Sequence, residues 1–190
     1  MDILNRSLAT ALQTLRDGGL ILYPTDTIWG IGCDATNESA IRKVYQLKKR
    51  DDSKSLIILI ADEKDILKYT AQPHPSVFDF LSQSDRPTTV IYEAAIGLPG
   101  NLVNEDGSIA IRIVKEPFCK TLIRRLRRPL VSTSANVSGE PAPANFQEIS
   151  EAIKKGVDYV VPYRQDDRRK ASPSRIVKMH ADGTIDIIRE

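Results

Sequence analysis

The stretch "SLIILIAD" contains six apolar residues in succession, from Leu56 to Ala61. An uninterrupted run of this kind is typical of a central strand that is covered on both faces. Other apolar runs occur in "LILYP", "TTVIYEA", "PLVSTSA" and "VDYVVPY", and "GSIAIRIVK" has isoleucine at every second position from Ile109. Helical patterns lie between these runs. This interleaving predicts an α/β domain with a mixed β-sheet.

The helices are predicted from apolar spacing and from their end signals. Apolar residues recur at helical intervals from Leu4 to Leu15, before the glycine pair at 18–19, and Asn37 is placed to cap a second helix. Four more stretches have a helical pattern: "DEKDILKYT", "HPSVFDFLSQS", "PFCKTLIRRLRR" and "NFQEISEAIKKG". The last carries a predicted capping box at Asn145 and Glu148. "RIVKM" and "TIDIIRE" flank "HADG" and predict a C-terminal hairpin.

Composition limits the class of protein. The chain has 190 residues, 41% of them apolar, which suits one compact domain with its own core. The net charge is only +2, too small for the broad positive field of a dedicated nucleic-acid binder. Cys33 and Cys119 lie far apart without C-x-x-C spacing, which disfavours a zinc site and predicts reduced core thiols. Charges interrupt the N-terminus and no membrane span is predicted, so we expect a cytoplasmic protein.

Polar residues cluster next to three of the apolar runs. "TDT" follows "LILYP", "STSAN" follows "PLV", and "SPS" precedes "RIV". Because ligands of open α/β sheets bind in the crevice at strand ends, the three clusters can line one pocket there. Each cluster by itself is equally what an ordinary turn would use.

Two groups of cations are candidates for anion binding. "KKRDDSK" places Lys48, Lys49, Arg50 and Lys54 between a helix end and the central strand, where they can converge on a polyphosphate. The alternative is a solvated helix end. Arg112 lies in mid-strand among isoleucines, and a charge there must point into a cavity or find a partner. A ligand carboxylate, a solvated face of an edge strand and a buried pair with a protein carboxylate are all open.

The positions of the two histidines and the absence of two glycine-rich motifs argue against several classes of reaction and cofactor. His74 and His180 lie away from the polar clusters, which disfavours a hydrolytic triad. "GIGCDA" lacks the third glycine of a dinucleotide fingerprint, and no GxxxxGK[ST] loop is present. Phosphoryl or adenylyl transfer fits better, because such reactions depend mainly on positioning and charge neutralisation.

Four motifs in order resemble the YrdC/TsaC-type threonylcarbamoyl-adenylate synthase family: "YPTDTIWGIGCDA", the K-x-R of residues 48–50, "STSAN" and "SPSRIV". The resemblance covers nearly the whole chain and implies a YrdC-like twisted sheet flanked by helices over 1–190, with no additional C-terminal domain. It implies a nucleotidyltransferase that makes threonylcarbamoyl-AMP and pyrophosphate from L-threonine, bicarbonate and ATP. The product serves the modification of a tRNA adenosine, so tRNA threonylcarbamoyl transferase machinery is the implied downstream partner.

The resemblance also implies residue roles. Threonine is expected to contact four residues, with its carboxylate on the arginine: Thr27, Arg112, Ser134 and Ser174. ATP is expected to contact five residues: Arg50, Lys54, Ser108, Asn136 and Arg189. Lys48 and Arg50 are expected to be catalytic. Mg²⁺ is expected on the phosphates of ATP, without dedicated protein ligands.

A second hypothesis is a noncatalytic relative that binds a nucleotide, tRNA or double-stranded RNA. "LIRRLRR" and the "RRK" loop favour it, although such runs are also typical of a solvated helix face.

Overall fold

The computed structural model of the protein describes residues 3–50 and 56–190. Within these ranges the helices are α1 (Ile3–Arg16), α2 (Glu38–Lys48), α3 (Ser76–Gln83), α4 (Pro117–Leu126) and α5 (Glu151–Gly156). The strands are β1 (Ile21–Tyr23), β2 (Gly30–Gly32), β3 (Ile57–Ile60), β4 (Thr88–Tyr92), β5 (Ile109–Ile113), β6 (Leu130–Ser134), β7 (Tyr159–Val160), β8 (Arg175–Met179) and β9 (Ile185–Arg189). Two 3-10 helices span Glu63–Lys68 and Phe146–Glu148.

All nine of these strands join one sheet in the order β7-β1-β2-β6-β3-β5-β4-β8-β9. Three pairs are parallel, namely β1 with β7, β3 with β5 and β4 with β8, and the remaining pairs are antiparallel. The mixed sheet and its flanking helices confirm the predicted fold class. The C-terminal hairpin is also confirmed, with Gly183 of its turn at φ +87°.

The sheet is covered on both faces by apolar side chains. On one face, Tyr23 and Leu59 pack with residues of α1 and α4, among them Leu15 and Phe118. On the other face, Ile58 and Ile60 pack with residues of α2, α3 and α5. Strand β3 therefore contributes to both cores, as its uninterrupted apolar sequence predicts. Cys33 and Cys119 are buried free thiols, in agreement with prediction.

Strand β2 is not among the predicted strands, since the predicted elements pass from "LILYP" and its polar cluster "TDT" directly to the helix capped by Asn37. Gly30, Ile31 and Gly32 pair with β1 on one side, and the first two pair with β6 on the other. Glycine is rare in strands, so the sequence gives little signal here. A Cβ on Gly32 would lie 2.4 Å from the carbonyl oxygen of Val131. The glycine is therefore needed for the close approach of these chains.

Two helix predictions need correction. "DEKDILKYT" forms only the 3-10 helix Glu63–Lys68. "NFQEISEAIKKG" is not one helix: Asn145 accepts a 3.3 Å hydrogen bond from the amide of Glu148 in a 3-10 turn, and α5 starts separately after its own cap, Ser150. The Glu148 carboxylate accepts from the backbone amide of Ala144 and from the side-chain amide of Asn145, so the cap by Asn145 is confirmed and the return bond goes to the preceding backbone amide. Short polar caps stabilise 3-10 turns as readily as α-helices, and the spacing alone does not separate them.

None of the helices in the described ranges is long and apolar enough to cross a membrane.

Candidate active site

A cavity of about 230 Å³ lies against the sheet. The polar part of its lining is Thr27, Arg50, Arg112, Ser132, Thr133, Ser134, Ser174 and Arg189. Ile28, Trp29, Gly30, Leu56, Ile57, Ala142, Pro173 and Ile176 complete it. The three polar clusters of the sequence thus line one cavity.

The cavity crosses the face of the sheet, which corrects the prediction of a crevice at strand ends. Ser134 ends β6, and β6 runs antiparallel to β3, so Ser134 lies near the start of β3. Ser174 immediately precedes β8. Because β8 is parallel to β4 and β4 is antiparallel to β5, the start of β8 lies near the end of β5, at the edge of the sheet opposite Ser134. The side chain of Arg112, in β5, lies between these two ends and lines the cavity.

Arg112 is 3% exposed, which rules out the solvated-edge alternative. Its Nη2 atom lies 3.3 Å from Oδ1 of Asp26, so the buried pair with a protein carboxylate exists. The pair is incomplete: neither Nε of Arg112 nor Oδ1 of Asp26 has a hydrogen-bond partner within the described structure. Arg112 therefore lines the cavity and also carries a buried N–H donor that no described residue satisfies.

Two more guanidinium groups line the cavity. Arg50, after α2, has its Nη1 3.5 Å from the hydroxyl of Thr133, and burial lowers its pKa. Arg189, in β9, donates from Nε and Nη2 to the carbonyl of Ser174 at 3.2 and 2.7 Å. Burial lowers the pKa of Arg189, and the positive charge of Arg112 lowers it further. Since no carboxylate is among the described residues that line it, the cavity favours anions.

The hydroxyl groups of the lining are held in place by short contacts. The hydroxyl of Thr25 lies 3.0 Å from that of Thr27 and accepts from the amide of Thr27 at 3.0 Å. The hydroxyl of Ser174 shares a buried 2.8 Å hydrogen bond with that of Thr89. These contacts fix the hydroxyl groups before any ligand arrives, which lowers the entropy lost on binding.

Lys48 does not line the cavity. It is 1% exposed at the end of α2, where its spacing predicts the buried side. Its ammonium group donates to the carbonyl oxygens of Ser134 and Asn136 at 2.5 and 2.6 Å. Burial, with a contribution from the positive charge of Arg50, lowers its pKa to about 8. The geometry makes Lys48 a support for the "STSAN" segment.

Two predicted ATP contacts, Ser108 and Asn136, are not among the described residues that line the cavity. Ser108 donates to Asp106 at 2.5 Å in the turn before β5. The side-chain amide of Asn136 donates to the carbonyls of Val137 and Glu140, at 3.1 and 2.8 Å. Lys54 lies outside the described residues.

Sequence reasoning did not single out several lining residues. Ser132 and Thr133 belong to the "STSAN" cluster, and the cluster itself was the available signal. Trp29 is 6% exposed and packs on Phe146 with ring centroids 4.9 Å apart. Nothing in the spacing of the sequence indicates that Trp29 or Pro173 would line the same cavity, since both lie in irregular segments.

The fold and the site define an α/β protein with a cationic, hydroxyl-rich cavity on the face of a mixed sheet. The family model Sua5/YciO/YrdC, described as telomere recombination, matches residues 13–190, and the chain belongs to that family. A putative threonylcarbamoyl-AMP synthase of Methanocaldococcus jannaschii is 37% identical over 92% of this chain and 81% of its own length. A threonylcarbamoyl-AMP synthase of Stenotrophomonas maltophilia is 32% identical over 89% of this chain and 92% of its own.

Solved structures show the same fold. E. coli YciO superposes with a TM-score of 0.83 at 21% identity, over 97% of this chain and 89% of that one. P. abyssi Sua5 complexed with L-threonine superposes with a TM-score of 0.80 at 21% identity over 90% of this chain. The match spans half (50%) of that Sua5 chain. At these identities the likeness concerns the fold.

Proposed function

We propose that the chain is a threonylcarbamoyl-AMP synthase, a nucleotidyltransferase that uses L-threonine, bicarbonate and ATP. The observation that carries this proposal is that Arg112, a buried arginine, lines a cavity together with two more arginines and fixed hydroxyl groups. Such a cavity suits a ligand with one carboxylate and a second with several phosphates. Curated relatives of similar length that carry this activity in their names support it.

Arg112 binds the threonine carboxylate in this account. The hydroxyl groups of Thr27, Ser134 and Ser174 are within the same cavity and contact the amine and the side-chain hydroxyl. Because Thr25 and Thr89 fix two of these groups, threonine meets a preorganised set of donors and acceptors.

ATP binds in the same cavity. Arg50 and Arg189, which line it, neutralise the phosphates, and Lys54 is expected to contribute a further positive charge. Mg²⁺ enters on the ATP phosphates in this proposal, without dedicated protein ligands.

The reaction proceeds by addition and displacement. The amine of threonine and bicarbonate form a carbamate with loss of water, and a carbamate oxygen attacks the α-phosphorus of ATP. The bond from that phosphorus to the bridging oxygen breaks, and pyrophosphate leaves. The arginines stabilise the charge that develops on the phosphates.

Lys48, Ser108 and Asn136 contribute indirectly. Lys48 fixes the carbonyl of Ser134 and thereby the hydroxyl-bearing end of β6. A direct contact of Ser108 or Asn136 with ATP requires a movement of the turns in which they are hydrogen-bonded.

The product is an activated threonylcarbamoyl group for the modification of a tRNA adenosine. A tRNA threonylcarbamoyl transferase machinery consumes it, and we place the protein in the cytoplasm with that machinery.

Release of pyrophosphate tests the proposal. Incubation with ATP, threonine and bicarbonate should release pyrophosphate, and omission of either threonine or bicarbonate should abolish the release. Release no greater than with ATP alone would contradict the proposal and favour the noncatalytic nucleotide- or RNA-binding alternative.

A further inference from the structure

Asp26 contacts the guanidinium of Arg112 without completing a hydrogen bond. Oδ1 of Asp26 lies 3.3 Å from Nη2 of Arg112 and has no hydrogen-bond partner in the described structure. The other oxygen, Oδ2, accepts from the backbone amide of Lys115 at 2.8 Å. The carboxylate is therefore fixed to the backbone that follows β5, and it reaches Arg112 with only one oxygen.

Asp26 lies outside the substrate cavity. It lines a neighbouring cavity of about 410 Å³ that shares Thr27 and Pro173 with the first. Its side chain is 11% exposed, whereas that of Arg112 is 3% exposed. Asp26 thus approaches Arg112 from the side of the second cavity and is not among the residues that line the first.

The atom of Arg112 that Asp26 faces is the one that a ligand carboxylate needs. A carboxylate that takes two hydrogen bonds from a guanidinium uses either Nε with Nη2 or the two Nη atoms. Both arrangements include Nη2. A bound threonine carboxylate must therefore share that nitrogen with Asp26 or displace it, and the two negative charges repel each other.

We propose that Asp26 is the counter-ion that the protein supplies for Arg112, and that it limits the affinity of the cavity for threonine. This inference rests on the proposed function. Asp26 stabilises the empty cavity, because a buried guanidinium without a counter-charge is strongly unfavourable. It weakens threonine binding, because Arg112 already interacts with the negative charge of Asp26 before threonine arrives. The threonine carboxylate therefore adds less favourable interaction with Arg112 than it would if Asp26 were neutral. Asp26 is an affinity-determining residue that acts through Arg112.

Asp26→Asn removes the charge with little change of size, and its single amide oxygen can accept either from the backbone amide of Lys115 or from Arg112. The empty variant should melt at a lower temperature than the wild type. Its dissociation constant for threonine should fall roughly tenfold, equivalent to about 1.4 kcal/mol. The affinity for ATP should stay unchanged.

L-Threoninamide, which lacks the carboxylate, separates this role from a general loosening of the cavity. Its affinity should not increase in Asp26→Asn. Asp26→Ser should bind threonine more tightly than the wild type, as Asp26→Asn does, whereas Asp26→Glu, which keeps the charge, should not. Asp62→Asn is the matched control, because Asp62 pairs with exposed Arg124 away from the cavity.

Equal or weaker threonine binding by both neutral variants would overturn the inference, as would an equal gain for threoninamide. If Asp26→Asn is too unstable to titrate, the Asp26→Ser and Asp26→Glu titrations decide. Failure of the wild type to bind threonine would instead contradict the proposed function.

Discussion

Lys48 donates a hydrogen bond from its buried ammonium group to the backbone carbonyl of Ser134 at 2.5 Å. This contact joins the end of α2 to the end of β6, and Ser134 in turn lines the cavity. Lys48→Met should remove one hydrogen bond from each of the carbonyls of Ser134 and Asn136, of which the first still accepts from the amide of Asn136, and should lower stability by about 1–3 kcal/mol. Urea unfolding at neutral pH measures the loss. A variant as stable as the wild type would show that the contact does not support the segment.

The pH dependence of stability gives a separate test of Lys48. Its pKa of about 8 in the folded protein is below the ordinary value of 10.5. Between these two pH values the unfolded chain binds more protons than the folded one, so this group makes stability rise with pH. The stability difference between wild type and Lys48→Met should grow from pH 8 to 10.5. Lys43→Met, on the exposed side of the same helix, is the control, and parallel profiles for Lys48→Met and wild type would contradict the burial effect.

Arg112→Lys keeps the positive charge and loses the planar guanidinium, which can donate two parallel hydrogen bonds to one carboxylate. We expect threonine binding to weaken by about 1–3 kcal/mol, with ATP affinity almost unchanged. Calorimetric titration measures both, and Arg124→Lys, at an exposed arginine that pairs with Asp62, is the control. Loss of ATP affinity with normal threonine affinity would contradict the carboxylate assignment.

Arg112→Ala should behave differently from Arg112→Lys, because it leaves the carboxylate of Asp26 buried without its counter-ion. We expect a loss of about 3–5 kcal/mol of stability, seen as a lower melting temperature. An unchanged melting temperature would indicate that water replaces the guanidinium and that the pair with Asp26 contributes little.

Arg50→Ala and Lys54→Ala should each weaken ATP binding, because each variant removes a positive charge that is expected to contact the phosphates. Threonine binding should weaken less. Arg42→Ala, an exposed change on α2, is the control. Equal ATP affinity in the wild type and both variants would show that "KKRDDSK" acts only as a solvated helix end.

The sequence predicts the elements of this site better than their arrangement. Periodicity places Arg112 in mid-strand and Lys48 on the buried side of α2, because both follow from a single element. The contact of Arg112 with Asp26 was not predictable, since Asp26 lies in an irregular loop whose path depends on the whole sheet. Strand β2 was missed for a related reason. Its glycines allow the neighbouring strands to approach closely, but glycine is not typical of a strand and so gives no local signal for one.

Gly32→Ala tests that explanation. Its Cβ would lie 2.4 Å from the carbonyl oxygen of Val131 and 2.7 Å from Cε1 of Tyr23, and both neighbours are buried. We expect a loss of at least ~2 kcal/mol, measured by chemical unfolding. Gly100→Ala, where a Cβ meets nothing within 4 Å, is the control. Equal stability of both variants would mean that the distances from Gly32 to the neighbouring strands are larger than in the structure.

The most direct test of the proposed activity is the mass of the product made with ¹³C-labelled bicarbonate, ATP and L-threonine. The proposed reaction predicts threonylcarbamoyl-AMP that carries one ¹³C atom, in amounts that match the pyrophosphate released. Arg112→Lys should make less of it at limiting threonine. Pyrophosphate without labelled product, or no product at saturating substrates, would contradict the account.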